Sequence, residues 1–341
     1  MDGMRIRYLL ISFVLSLPAA QAQQRAQYSQ YMLNPLVLNP AVSGLEDFID
    51  LKAGYRNQWA GWQGAPKTFY LTAHGALNKA DRTSTLPVRD PYGRPYQRSR
   101  VFPSQPAAPS HHGVGATLLR DETGPSSRTS LQVSYALHLP LTNRIKVATG
   151  VSMGFTQHTL DFDLLHVLEP NDPVIQQGKL NTFVPELNAG VLLYDPNFYV
   201  GFSASQLFFK KLDYGQTGTS DYEWLGRLYN HYFLTAGYRF ELDPDWALVP
   251  SVLVKSVRPL SLSFDINAKI SYQDRIWMGL SYRHQDAIVG LIGFNVNYKL
   301  NIGYSYDFTQ SSVRTVSRGT HEIVVGLMFN NRQRLVCPRI F

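Results

Sequence analysis

The amino-acid sequence predicts an all-β protein: a transmembrane antiparallel β-barrel of about 14 strands, with its N-terminal segment packed in the lumen or the periplasmic mouth. Three observations carry that expectation. Apolar and polar residues alternate with a period of two through most of the chain; charged residues are few while aromatic ones abound; and no late apolar run reaches membrane-helix length, about 20 residues.

The chain opens with an export signal. Arg5 and Arg7 precede an apolar run from Tyr8 to Leu17 and a small-x-small cleavage site, Ala20-Gln21-Ala22, so residues 1–22 read as a signal peptide. That run is too short to cross a bilayer. Its export places the mature chain outside the cytoplasm, and the one cysteine, Cys337, excludes an internal disulfide framework. Backbone pairing and packing must hold the fold.

Composition narrows the class. The chain has 20 Tyr and 18 Phe, 17% charged residues and a net charge of +7, and its mean hydropathy is slightly negative. Soluble domains carry about 25% charged residues. A barrel with an apolar, aromatic-girdled outside and a polar inside accounts for all of these values. The positive charge suits anionic surfaces such as lipid headgroups, and export makes nucleic acid an improbable partner.

Residues 23–48 form neither a good strand nor a good helix. Asn34-Pro35 and Asn39-Pro40 fix the backbone at two points, because proline restrains its own φ and the preceding residue. We read this stretch as a lumen plug or periplasmic-mouth clamp carried by Gln27, Tyr28, Gln30, Tyr31, Asn34, Pro35, Asn39 and Pro40.

Residues 49–330 supply the barrel, and 331–341 a C-terminal tail. The cleanest alternation sets Leu260, Leu262, Phe264, Ile266, Ala268 and Ile270 against Ser261, Ser263, Asp265, Asn267 and Lys269. Candidate strands lie near 49–57, 67–76, 112–121, 128–139, 143–155, 184–194, 197–206, 230–241, 245–255, 259–270, 274–284, 286–297, 298–308 and 320–330. With the N-terminus periplasmic, the connections at 139–143, 195–197, 243–245, 273–274 and 297–299 fall on one side and are short. Those at 156–183, 207–229 and 309–319 fall on the other and are long, as external loops are.

One connection departs from this rule. The segment 78–111 lies on the periplasmic side, yet it is long and rich in Arg and Pro, from Arg82 and Pro87 to Arg100 and Pro109. Such a composition makes a solvated linker or a basic docking arm.

The polar strand faces place Lys52, Arg56, Arg239, Lys255, Asp265, Lys269, Arg283, Lys299 and Asp307 in the lumen, bracing the wall or plug, or giving an anion-preferring pore. Phe208, Phe209, Tyr222 and Trp224 are candidate partner-binding residues on the external loops. Catalytic, cofactor and metal motifs are wanting. His284 and Asp286 read as turn residues, His111-His112 as loop without spaced partner ligands, and no G-x-S-x-G or H-E-x-x-H occurs. An enzyme is not expected.

Several of these residues carry a resemblance. Gln27-Tyr28-Ser29-Gln30-Tyr31-Met32-x-Asn34-Pro35, then Asn39-Pro40-Ala41 and Gly44, then Tyr55-Arg56-x-Gln58-Trp59, resemble the start of PorP/SprF family proteins of the Bacteroidota type IX secretion system. Pro250-Ser251-x-Leu253-x-Lys255, Trp277-x-Gly279-Leu280-Ser281-Tyr282-Arg283, Gly303-Tyr304-Ser305-Tyr306-Asp307 and His321-Glu322 resemble the same family's C-terminal half. The resemblance implies an integral outer-membrane, non-enzymatic component of protein secretion and, in many members, of gliding motility. Implied partners are the periplasmic ring lipoprotein complex and a secreted adhesin, in addition to outer-membrane lipids. The long segment 78–111 departs from the short connection expected in the family. Two other classes compete: a small-solute channel with a basic lumen, and a soluble secreted β-protein such as a propeller, for which no fixed repeat is found.

Overall fold

The computed structural model describes residues 27–79, 109–164, 179–208, 228–257, 262–310, 315 and 317–331. Its strands are β1 (Ile49–Asn57), β2 (Lys67–Leu77), β3 (His111–Thr123), β4 (Ser126–Pro140), β5 (Lys146–Asp161), β6 (Lys179–Tyr194), β7 (Phe198–Ser205), β8 (His231–Tyr238), β9 (Phe240–Glu241), β10 (Trp246–Val257), β11 (Ser263–Tyr272), β12 (Ile276–Arg283), β13 (Ala287–Asn295), β14 (Leu300–Thr309) and β15 (Thr320–Phe329). Strands β8 and β9 both pair with β10 and form one wall strand interrupted at Arg239, so fifteen strands make a wall of fourteen. At the break the Arg239 N–H donates to the Asn197 carbonyl at 2.7 Å, and its guanidinium pairs with Asp274 at 2.9 Å.

Every neighbour is antiparallel. β1 pairs with β15 and β10 with β11, which closes the sheet on itself and leaves no edge along the body of the wall. Period-two alternation then sorts the side chains. On β12, for instance, Ile276, Met278, Leu280 and Tyr282 are exposed on the outside while Trp277, Ser281 and Arg283 are buried. Outward apolar residues form a continuous belt, as a lipid-facing wall requires. On β5 it runs through Val151, Met153 and Phe155 and ends at Gln157 and Thr159, whose side chains bond to Asn181.

The two ends of the barrel differ. One has tight connections, such as Tyr272 to Arg275, where Gln273 and Asp274 both take positive φ (51° and 54°) and the Arg275 N–H bonds the Tyr272 carbonyl at 3.0 Å, as in a type I′ hairpin. Apart from the segment 78–110, which joins β2 to β3 at that same end, the longer connections lie at the other end, so we assign it to the outside. There β4, β5 and β6 reach 15, 16 and 16 residues against 8 for β7, β8 and β12. The expected loop at 156–183 is therefore shorter than its composition suggested, because both strands continue past the belt as a hydrogen-bonded hairpin.

Two readings need correction. His111 and His112 are not loop but the first residues of β3. Lys299 is not in the lumen: it is exposed in the turn before β14, with its ammonium 5.5 Å from the Tyr298 ring centroid. The strand starts at Leu300, two residues later than expected.

Candidate functional site

The lumen is filled by residues 27–48. Two Asn-Pro steps start two 3₁₀ turns, Pro35–Val37 and Pro40–Val42, with proline at the first helical position. Asn39 caps the second: its Oδ1 accepts from the Ala41 N–H at 2.9 Å, while its Nδ2 donates to the Val191 carbonyl of β6 at 3.1 Å. Asn34 instead accepts from Thr72 Oγ1 of β2 at 3.1 Å. Proline thus shapes the segment, and asparagine ties it to the wall.

Tyr28, Tyr31, Met32, Val37 and Leu38 join wall residues Tyr70, Phe233, Leu253 and Trp277 in one apolar core. Ala41, Val42 and Leu45 join Ala148, Leu192, Tyr194 and Tyr199 in a second. Tyr28 stands edge-on to Tyr70, with ring centroids 5.3 Å apart. Pro35 is half-buried and Pro40 buried. This core lies inside a wall whose lumen face is otherwise polar.

The segment runs lengthwise through the barrel. Its start lies among residues at the outer ends of the strands, and its finish leads into β1 at the short-turn end. At the outer end the Ser29 N–H donates to Glu322 at 2.8 Å, and Ser29 Oγ donates to Asp307 at 2.7 Å. Arg56 binds Asp307 at 2.8 Å and Glu322 at 3.0 Å, and also donates to Ser29 Oγ at 2.6 Å. Arg283 bridges Asp265, Asp286 and Asp307, Lys255 pairs with Asp265 at 2.9 Å, and half-buried Gln27 accepts from Arg283 at 3.4 Å. Gln30 Nε2 donates to the Glu322 carbonyl at 2.8 Å. Lower in the lumen Asn267 donates to the Tyr31 hydroxyl, and Lys52 pairs with Asp50. Lys269 lies 5.9 Å from the Trp277 ring centroid.

The lumen cations Arg56, Lys255 and Arg283 are thus matched by carboxylates within one buried network. The arrangement is that of a brace around the Ser29 end of the plug.

The inner end is held by histidines that sequence reasoning missed. His138 Nε2 bonds the Ser43 carbonyl at 2.8 Å and His111 Nε2 bonds the Gly44 carbonyl at 3.1 Å. Both acceptors are carbonyls, so each ring carries its proton on Nε2. The two rings stack at 4.3 Å. Ser43 Oγ meets Ser134 Oγ at 2.8 Å, and Lys79 reaches the Leu45 carbonyl at 2.8 Å and Asp47 at 2.6 Å. Inward parity on β3 and β4 was the available clue to His111 and His138.

The wall is also cut to receive the plug. A Cβ on Gly113 would sit 1.8 Å from the Ser43 carbonyl oxygen, and one on Gly150 would sit 2.4 Å from the Ala41 nitrogen. Only glycine permits that approach of two backbones. Beside the plug lie two cavities with volumes of about 20 Å³ each, room for roughly one water. Among the described residues no group of His, Cys, Asp and Glu is arranged to hold a metal ion. Phe208 is exposed just past β7, whereas Phe209, Tyr222 and Trp224 lie outside the described residues.

Known proteins provide three comparisons. A family model described as type IX secretion system membrane protein PorP/SprF matches residues 20–327. No curated protein matches the chain. Among solved structures it is similar to a Pseudomonas aeruginosa FadL homologue, at 10% identity and a TM-score of 0.48, covering 86% of this chain and 93% of that one. The Acinetobacter baumannii outer membrane protein Omp33 aligns at 10% identity and 0.45, covering 84% and 100%. The Ralstonia pickettii toluene transporter TbuX aligns at 10% and 0.46, covering 87% and 94%.

Proposed function

Because this chain belongs to the PorP/SprF family of type IX secretion system membrane proteins and is an integral barrel of the outer membrane, we propose that it works by binding rather than by conduction or catalysis. In this reading it recruits or anchors a secreted surface protein at the outer face, or links the secretion machine's periplasmic ring lipoprotein complex to the membrane, with a role in gliding where the cargo is a motility adhesin. The observation that carries the reading is the plug. Its apolar core, its buried ion-pair brace and its histidine clasp occupy the lumen, which favours binding at the mouths over conduction through the middle.

The surfaces that remain are the two mouths. The tall β4–β6 wall and exposed Phe208 support an outer docking face, and the roots of the segment 78–111 at Lys79 and His111 support a periplasmic one. Deletion of the protein should remove one or a few specific proteins from the cell surface, read by surface proteomics, with restoration by the wild-type chain. An unchanged surface proteome together with slower uptake of small solutes would instead establish the channel role.

A further inference from the structure

Three buried wall histidines, on β2, β3 and β4, close around the inner end of the plug. Besides the bonds from His138 to the Ser43 carbonyl and from His111 to the Gly44 carbonyl, the Gly44 N–H donates to His74 Nδ1 at 3.4 Å. These contacts need neutral rings. His74 accepts at Nδ1 only while that nitrogen is unprotonated. His111 and His138 lie 9° from parallel with centroids 4.3 Å apart, so one of the pair can carry a proton, but protons on both would set two like charges face to face.

The groups around the clasp do little to offset such charges. Asp50 lies 3.8 Å from His74 Nε2 but is already paired with Lys52, and Asp47 is paired with Lys79. Glu46 shares a cavity lining with His74, while Lys79 and Lys146 add positive charge towards His138. From β6 only the Tyr194 hydroxyl reaches the clasp, at 2.9 Å from His138 Nδ1. Histidine ordinarily titrates near pH 6.5, and a state that must hold one neutral weakens about tenfold for each pH unit below that value. We propose that the clasp is a proton-operated release. On acidification His74 and the second ring of the His111–His138 pair take up protons that the seated plug cannot accommodate, and the inner end of the plug lets go of the wall. Seating is complete at neutral pH and is lost as the pH falls.

The test uses the full chain in detergent with Cys337→Ser and a reporter cysteine at Val42, which is buried in the second turn of the plug. Maleimide labelling is followed at about pH 7.5 and pH 5.5, both above the ordinary carboxylate range. Each rate is divided by that of N-acetylcysteine in the same buffer, which removes the thiol's own pH dependence. Two excluded protons predict a rise of about a hundredfold on acidification. His74→Asn, whose amide oxygen accepts from Gly44 without titrating, should reduce the rise to about tenfold, and adding His138→Gln should abolish it. If the histidines were structural only, these variants would change the rate equally at both pH values and leave the rise as it was. A wild-type rise below about threefold, or an undiminished rise in His74→Asn, would overturn the proposal. Should the double variant fail to fold, His74→Asn decides.

Discussion

Gly113→Ala isolates the seating of the plug from the integrity of the wall. The new methyl would lie 1.8 Å from the Ser43 oxygen and 2.4 Å from its carbonyl carbon, whereas a carbon–oxygen contact settles at about 3.3 Å. The plug must therefore retreat by roughly 1.5 Å. Such a shift breaks three bonds that hold its inner end: His138 to Ser43 (2.8 Å), His111 to Gly44 (3.1 Å) and Ser43 to Ser134 (2.8 Å). At about 1 kcal/mol each, the loss is about 3 kcal/mol, a little over a hundredfold in the seated-to-unseated ratio. Strain from overpacking adds to it.

A reporter cysteine at Val42, which is 2% exposed, reads that ratio as its rate of maleimide labelling in a Cys337→Ser background. The rate should rise about a hundredfold in Gly113→Ala. Gly290→Ala is the control, since a Cβ there meets nothing within 4 Å, and should leave the rate unchanged. Equal rates in the two variants would refute the claim that the wall glycine seats the plug.

Other outcomes test the rest of the brace. Arg56→Met strips two buried carboxylates, Asp307 and Glu322, of their shared cation and should cost about 3 to 5 kcal/mol, read as a lower thermal midpoint of the detergent-solubilised barrel. Asn39→Ala removes the cap on Ala41 and the bond to Val191; a loss of about 1 to 2 kcal/mol is expected, and no change would mean that water replaces both. The lengthwise path of the plug sets its polarity. Gln27→Cys should react with a membrane-impermeant maleimide added to intact cells, whereas Asp47→Cys should react only after the outer membrane is permeabilised. The reverse pattern would invert the barrel.

Strand placement was legible because one residue of slip would turn a whole apolar face into the lumen. Ile49–Asn57 is recovered at both ends, and most other boundaries shift by only a few residues. The irregular shape of the plug was legible from its two Asn-Pro steps. Its path was not: Ser29 meets Asp307 and Glu322 across sequence separations of 278 and 293, and only closure of the barrel brings those strands together. The histidine clasp escaped notice for a related reason, since His111 and His138 face each other only once β3 and β4 are registered. Lys299 was misplaced because alternation alone does not mark where a turn hands over to a strand. The length of β5 and β6 was hidden by polar residues such as Gln157 and Asn181, which pair as well above the lipid belt as apolar ones pair within it.

The N-terminal segment fills the lumen from within. Planar-bilayer recording of the purified wild-type barrel beside a variant lacking residues 27–46 tests that most directly. The wild-type protein should give no conductance steps, and the variant should open a pore the width of the emptied lumen. Steady conductance by the wild-type protein, at a level the deletion leaves unchanged, would contradict it.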